Sequence, residues 1–260
     1  MPPDAPILTV SALSKQFRGV LAVSDVSFTV TPGEIMGLIG PNGAGKTTTF
    51  NLISGRFPST GGEVFIEGRR VNGLRPDRIA ALGVARTFQG TRVFPKLTAE
   101  ENIRTALLSR ETVGFWEDWL NLPRARRAQA DARAKAVDVL DFIGLTDHQD
   151  TAAGSLPYAY QSLLGIGLAL ARQPRLLLLD EPFAGMNPRE TMDAAQMVRR
   201  IRDRGVTVLL VEHDMAAVMG VCDRIVVLDH GCKIAEGTPA EIRSNRAVIE
   251  AYLGTDDDDA

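Results

Sequence analysis

Gly40-Pro41-Asn42-Gly43-Ala44-Gly45-Lys46-Thr47-Thr48 fits the pattern G-x-x-x-x-G-K-[ST]. This pattern is a phosphate-binding loop only where it follows a strand and opens a helix. Both flanks comply. Glu34–Ile39 is a short apolar run that reads as a buried strand. Thr48–Gly55 reads as a helix ended by a glycine. The residue types suit the chemistry. Three glycines let the backbone curve with its N–H groups pointing inward, and the helix N-terminus adds positive potential. Lys46 reaches the β- and γ-phosphates, and the Thr47 hydroxyl is a Mg²⁺ ligand. The stretch predicts a nucleoside triphosphate site.

Outward from the loop, the chain has 260 residues, 45% hydrophobic and 23% charged, enough for a packed core. A net charge of −3 gives no global basic signal for nucleic acid. No apolar run approaches the roughly 18 residues of a membrane span. Met1–Pro6 lacks the basic-then-apolar pattern of a signal peptide. The expectation is a cytoplasmic protein whose membrane role, if any, comes through a partner. Cys222 and Cys232 suggest a reducing compartment and buried thiols.

Ile7–Val10 and Val26–Val30 read as strands, with Phe17 between them. Phe17 is either a core aromatic or a platform for a nucleotide base. Further strands are expected at Glu63–Gly68 and at Val84–Gln89, the latter ending in the polar Gln89. From 97 to 172 helix formers dominate, with an Ala- and Arg-rich stretch at Arg124–Leu140, while Trp116 and Trp119 read as packing residues. Leu176–Glu181 is wholly apolar until its two final acids, the mark of a central strand covered on both faces. Acids at its C-terminal end lie where open α/β sheets place their ligands. Asp180 is expected to hold Mg²⁺ through water, and Glu181 to polarise an attacking water. Val206–Val211 is another buried strand, ending in Glu212-His213-Asp214, with His213 able to reach a γ-phosphate. A helix is expected at Arg189–Arg204, a hairpin over 224–235 turning at Asp229-His230-Gly231, and a closing helix from Pro239 to about Leu253. Asp256–Asp259 reads as an acidic tail.

In order and spacing these pieces resemble the ATP-binding cassette (ABC) family of transport ATPases, from about Ile7 to Leu253. The resemblance implies an α/β fold: a P-loop NTPase core with a mixed β-sheet, plus an inserted α-helical subdomain. One nucleotide-binding domain would span 7–253. Residues 7–96 and 173–236 form its core, 97–172 the helical subdomain with the signature, and 237–253 a C-terminal helix, before a tail at 254–260. It also implies roles. Phe17 stacks on adenine. Gln89 joins Thr47 and Asp180 at Mg²⁺ and couples the γ-phosphate to the helical subdomain. Glu181 is the general base, His213 the γ-phosphate switch, and Ala184-Gly185-Met186-Asn187 the D-loop.

Within the family, Arg86-Thr87-Phe88-Gln89 with Phe94 following, the long insertion around Leu108–Arg133, and Glu181–Pro188 are similar to the ATPases of branched-chain and polar amino-acid importers. Such ATPases hydrolyse ATP with Mg²⁺ on the cytoplasmic face of the membrane. They work with two membrane permeases, a second ATPase subunit and an extracytoplasmic solute-binding protein. The lipopolysaccharide-export ATPase shares the phosphate-site pattern but not the long insertion. A soluble non-transport ABC ATPase would carry two cassettes or a coiled-coil insertion, a GTPase an Asn-Lys-x-Asp motif, and none of these is present. A binding-only module remains an alternative, which intact Glu181 and His213 oppose and an altered signature at Leu156–Gln161 favours.

One element departs. The family signature, leucine-serine-glycine-glycine-glutamine, is represented by Leu156-Pro157-Tyr158-Ala159-Tyr160-Gln161. Pro157 replaces the serine, Ala159 a glycine and Tyr160 a glutamine, and Ser162-Leu163-Leu164-Gly165 stands where relatives carry basic residues. In the family the signature acts in trans, on ATP held by the other ATPase subunit. The expectation is a complete catalytic half and an altered signature half: either the Ala159 methyl, added where backbone approaches phosphate, slows or idles the opposite site, or Ala159 is tolerated because its backbone N–H survives.

Overall fold

The computed structural model describes residues 5–87, 93–108 and 123–253. These form two compact units. One comprises the described residues up to Arg86, Arg175–Glu181 and Thr191 onward; the other runs from Thr87 to Pro174 and includes Pro182–Glu190.

The first unit holds two sheets. The strands β1 (Leu8–Phe17), β2 (Val20–Val30), β4 (Gly61–Ile66) and β5 (Arg69–Arg70) form an antiparallel sheet in the order β2-β1-β4-β5. The second sheet contains β3 (Ile35–Ile39), β6 (Val84–Arg86), β7 (Leu176–Asp180), β8 (Thr207–Val211), β9 (Arg224–Asp229) and β10 (Cys232–Gly237), in the order β10-β9-β3-β8-β7-β6. It is parallel except for β10, which returns antiparallel to β9 through the expected hairpin. Every residue of β3, β7 and β8 is buried, which is why these strands read as continuous apolar runs. Between the layers, Phe50 and Ile53 of the helix α1 (Lys46–Ile53) join Leu38, Leu178 and Leu209 in one core. Each such side chain, fully buried, contributes about 1.5–3 kcal/mol.

The second unit is helical: α3 (Ala99–Leu108), α4 (Pro123–Phe142) and α5 (Tyr158–Leu170), after the short α2 (Pro76–Ala80) of the first unit. Thr98 and Glu101 form a reciprocal capping box at the start of α3. Asn102, fully buried, fastens the preceding loop by accepting from Phe94 N–H and donating to the carbonyls of Phe94, Leu97 and Thr98. Gly167 lets Ile103, Val139 and Ile143 close in; an added Cβ would meet the Ile143 methyl at 2.7 Å.

Several sequence expectations change. Strands β1 and β2 are longer than predicted, and Phe17 ends β1 beside the Arg18-Gly19 turn instead of lying in a connection. Helix α1 begins at Lys46, two residues early. The closing helix is two, α8 (Pro239–Arg243) and α9 (Arg246–Leu253), because the Asn245 side chain accepts from Val248 N–H and starts a new helix. Cys222 is buried, its thiol pushed well up by desolvation, but Cys232 is exposed. Strand β6 ends at Arg86; Gln89, Trp116, Trp119 and the acidic tail lie outside the described residues.

Candidate nucleotide site

Strand β3 delivers the loop, and backbone conformation dictates its glycines. Gly40, Gly43 and Gly45 have φ of 151°, 80° and 96°. A Cβ on Gly40 would sit 2.0 Å from the Leu228 carbonyl oxygen, and one on Gly45 2.6 Å from that of Ala22. Gly43 faces open space and is required by its φ alone. Pro41 and Ala44 are buried, Asn42 is exposed, and Thr47 and Thr48 are half-buried in the first turn of α1. No side chain caps that turn and it carries no acid. A helix N-terminus without a side-chain cap is a ready anion site.

Lys46 is buried, and its Nζ donates to the carbonyls of Gly40 at 2.7 Å and Pro41 at 2.8 Å. Desolvation pushes its pKa down, while the Glu181 carboxylate pulls it back up. The loop therefore holds a desolvated ammonium against its own carbonyls, within electrostatic reach of Glu181, the residue after β7.

The two acids sit at the C-terminal end of β7, where Asp180 pairs with Val211 of β8. Asp180 is 3% exposed, and its Oδ2 accepts from Arg86 Nη2 at 2.8 Å. Glu181 continues the ladder by donating its N–H to the Val211 carbonyl at 2.9 Å, but at φ 49°. A left-handed non-glycine residue carries about 1–3 kcal/mol of strain, and such residues cluster at functional sites. Across the ladder, β8 is followed by Glu212, 1% exposed, whose Oε2 accepts from the His213 N–H at 3.2 Å. The His213 imidazole is largely exposed. Asp214 then caps the helix α7 (Met215–Val221) by accepting from Ala216 and Ala217 N–H.

Phe17 is 39% exposed and packs against Phe57 in a T-shaped pair, ring centroids 5.7 Å apart at 84°. Lys15 Nζ lies 4.9 Å from its centroid and donates to the Pro58 carbonyl.

The oxygen donors suit Mg²⁺. Thr47 supplies a hydroxyl and Asp180 a buried carboxylate. Among the described residues no group of three or more His, Cys, Asp or Glu side chains gathers to hold a metal. Mg²⁺ is ordinarily held by one or two carboxylates plus substrate phosphates, so the set fits a metal arriving with nucleotide. Gln89, the third expected ligand, lies outside the described residues.

In the helical unit, Pro157 is the N-cap of α5 with φ −53°, and Gln161 Nε2 donates to the Leu156 carbonyl at 2.9 Å. Leu156 is buried, Pro157 and Tyr158 are exposed, and Tyr160 packs on His148 at 4.9 Å. Ala159 is 6% exposed, a buried residue of the helical unit. Of the expected D-loop residues, Ala184 and Gly185 close a turn that Met186 and Asn187 follow, and Gly185 has φ 73°. The Tyr158 ring lies 3.1 Å from where a Gly185 Cβ would stand, and the Asn187 Oδ1 accepts from Arg189 and Glu190 N–H to start the helix α6 (Pro188–Asp203). Sequence reasoning missed the engagement of Arg86 and the burial of Glu212. A charged residue closing an otherwise apolar strand was the available signal for both.

A family profile described as ABC transporter matches residues 23–184, more than half of the chain. The chain belongs to the ABC transporter family. A second profile, described as branched-chain amino acid ATP-binding cassette transporter, matches residues 232–258 of this ABC protein. It is 43% identical over 250 residues to the high-affinity branched-chain amino acid transport ATP-binding protein LivG of Escherichia coli K12, covering 96% of this chain and 98% of LivG. Against the lipopolysaccharide export system ATP-binding protein LptB of the same organism, identity is 33% over 249 residues, with the same coverage of 96% and 98%. A crystal structure of the ADP conformation of an ATP-binding cassette from an ABC transporter superposes with a TM-score of 0.83 at 28% identity, covering 96% of this chain and 99% of that one. The α/β P-loop fold and the ATP-binding character expected of the ABC cassette follow. Among the described residues no helix is long and apolar enough to cross a membrane.

Proposed function

We propose that this protein is the ATP-hydrolysing subunit of a membrane importer for branched-chain amino acids or related small polar solutes. It would act at the cytoplasmic face with integral-membrane permeases, a second ATPase subunit and, indirectly, an extracytoplasmic solute-binding protein. The observation that carries the reading is buried Lys46, held by the phosphate loop and acted on by the Glu181 carboxylate, with buried Asp180 the residue before it at the end of β7. Higher identity to LivG than to LptB, with the branched-chain profile at 232–258, supports import over lipopolysaccharide export.

In this reading Phe17 stacks on the adenine, and Lys46 with the backbone N–H groups of residues 40–48 balances the charge developing on the γ-phosphoryl group. Lys46 exchanges its bonds to the Gly40 and Pro41 carbonyls for phosphate oxygens. Glu181 accepts a proton from the attacking water, and His213 contacts the γ-phosphate from the neighbouring strand end. Thr47, Asp180 and Gln89 would hold Mg²⁺, which supplies neutralisation of the phosphate charge when bound. The stretch Leu156–Gln161 and the D-loop serve the ATP bound to the partner subunit, with 97–172 as the helical subdomain and 7–96 with 173–236 as the core. The test is ATP-driven uptake of leucine, isoleucine and valine by proteoliposomes holding this chain with its permeases and second ATPase. Uptake lost with Glu181→Gln supports the reading. Hydrolysis without uptake of these or other small polar solutes overturns the importer assignment.

A further inference from the structure

Arg86 is the last residue of β6, paired with Leu178 of β7. Its side chain is 7% exposed, and that of its partner Asp180 is 1% exposed. The guanidinium is shared between two elements. Nη2 donates to Asp180 Oδ2 at 2.8 Å, while Nη1 donates to Asn51 Oδ1 at 2.8 Å and Ser54 Oγ at 2.7 Å. The group also lies 5.7 Å from the Phe50 ring centroid. Phe50, Asn51 and Ser54 belong to the C-terminal end of α1, whose first turn carries Lys46 and Thr47. The negative end of the helix dipole favours a cation there.

Stability alone accounts poorly for this arrangement. A buried ion pair is often replaceable by apolar residues at no cost. What an arginine adds is direction: a planar fork holds several acceptors in fixed geometry, which a lysine does not. One buried cation thus ties the far end of the phosphate-loop helix to the acid of β7.

We infer that Arg86 is a positioning residue for the ATPase: it fixes the Asp180 carboxylate and the helix bearing Lys46 and Thr47 in one register, and so sets the Mg²⁺-dependence of nucleotide binding. The inference rests on the assignment of Thr47 and Asp180 to Mg²⁺. The probe is a fluorescent ATP analogue titrated onto the full chain with Mg²⁺ and with EDTA. For Arg86→Lys the ratio of the two affinities falls by about 10–100-fold, the usual effect of losing the partner that orients a metal ligand. The EDTA affinity falls by less, because the backbone N–H groups of the loop still grip phosphate without the metal. Asn51→Ala removes one anchor without touching Asp180 and shifts the ratio the same way by less. An unchanged ratio in Arg86→Lys, whether or not its melting temperature drops, overturns the inference and leaves Arg86 a structural brace. If Arg86→Lys fails to fold, Asn51→Ala decides by the same ratio. A wild-type chain with no Mg²⁺ effect would overturn the Thr47–Asp180 assignment, and the inference with it.

Discussion

In the proposed function the phosphate loop and the signature stretch both offer backbone N–H groups to a phosphate, and the chain builds the two by different means. In the loop, glycine identity is forced: at Gly40 and Gly45 a Cβ would collide with a carbonyl oxygen, and at Gly43 φ is 80°. The signature has no such constraint. It opens α5 from an N-capping proline, and Ala159 is an ordinary buried helical residue. Helix interiors favour Ala over Gly by roughly 0.5–1 kcal/mol. A pattern of residue types therefore diagnoses the loop fully, but a substituted signature residue carries meaning only once the direction of its side chain is known.

The largest effect expected from that contrast is at Glu181. In an assembled complex whose second ATPase keeps its own glutamate, Glu181→Gln in this chain tests which half turns over. Removing a general base costs about 10²–10⁴-fold at its own site. If the site on Lys46 dominates, total ATPase falls to a small residue while nucleotide binding persists. A loss of about half would mean that both sites work equally, so that the altered signature is no handicap. Activity near wild type would break the claim that this chain contributes the catalytic half.

A smaller effect separates two glycines within the loop. Gly40→Ala adds a methyl against the Leu228 carbonyl, so strain and overpacking together lower stability by about 2–4 kcal/mol. Gly43→Ala meets no atom within 4 Å and pays only for a left-handed backbone, about 1–2 kcal/mol. Thermal denaturation of the two variants gives the order. Equal losses would show that φ, rather than close approach, governs both positions.

The legible elements were those whose burial is uniform. Ile35–Ile39, Leu176–Asp180 and Thr207–Val211 are buried at every position, so apolar runs gave away the strands, and the residues that follow them gave away the site. The antiparallel sheet was half hidden. Ala12 and Asp25 take φ of 49° and 53°, and the β1–β2 pairing shifts register between Val10 and Lys15, so period two breaks inside each strand. Arg86 was visible only as a motif letter, because its acceptors come from residues 51, 54 and 180. Burial of Ala159 depends on the packing of a three-helix unit, which no local pattern encodes.

The smallest expected effect bears most directly on the signature. Ala159→Gly restores the family residue. Because Ala159 is buried in the helical unit, removal of its methyl trims stability by up to about 1 kcal/mol through helix propensity and lost contact. The backbone N–H is the same in either residue, so hydrolysis by the assembled complex should stay within about twofold of wild type. The same variant placed beside Glu181→Gln isolates the site to which this signature contributes. If Ala159→Gly there raises turnover severalfold, the methyl does obstruct phosphate, and the altered signature is a device that slows the second site. If turnover holds while the melting temperature slips, the substitution belongs to packing. Departure from a motif is then evidence about the unit's core and leaves both ATP sites competent.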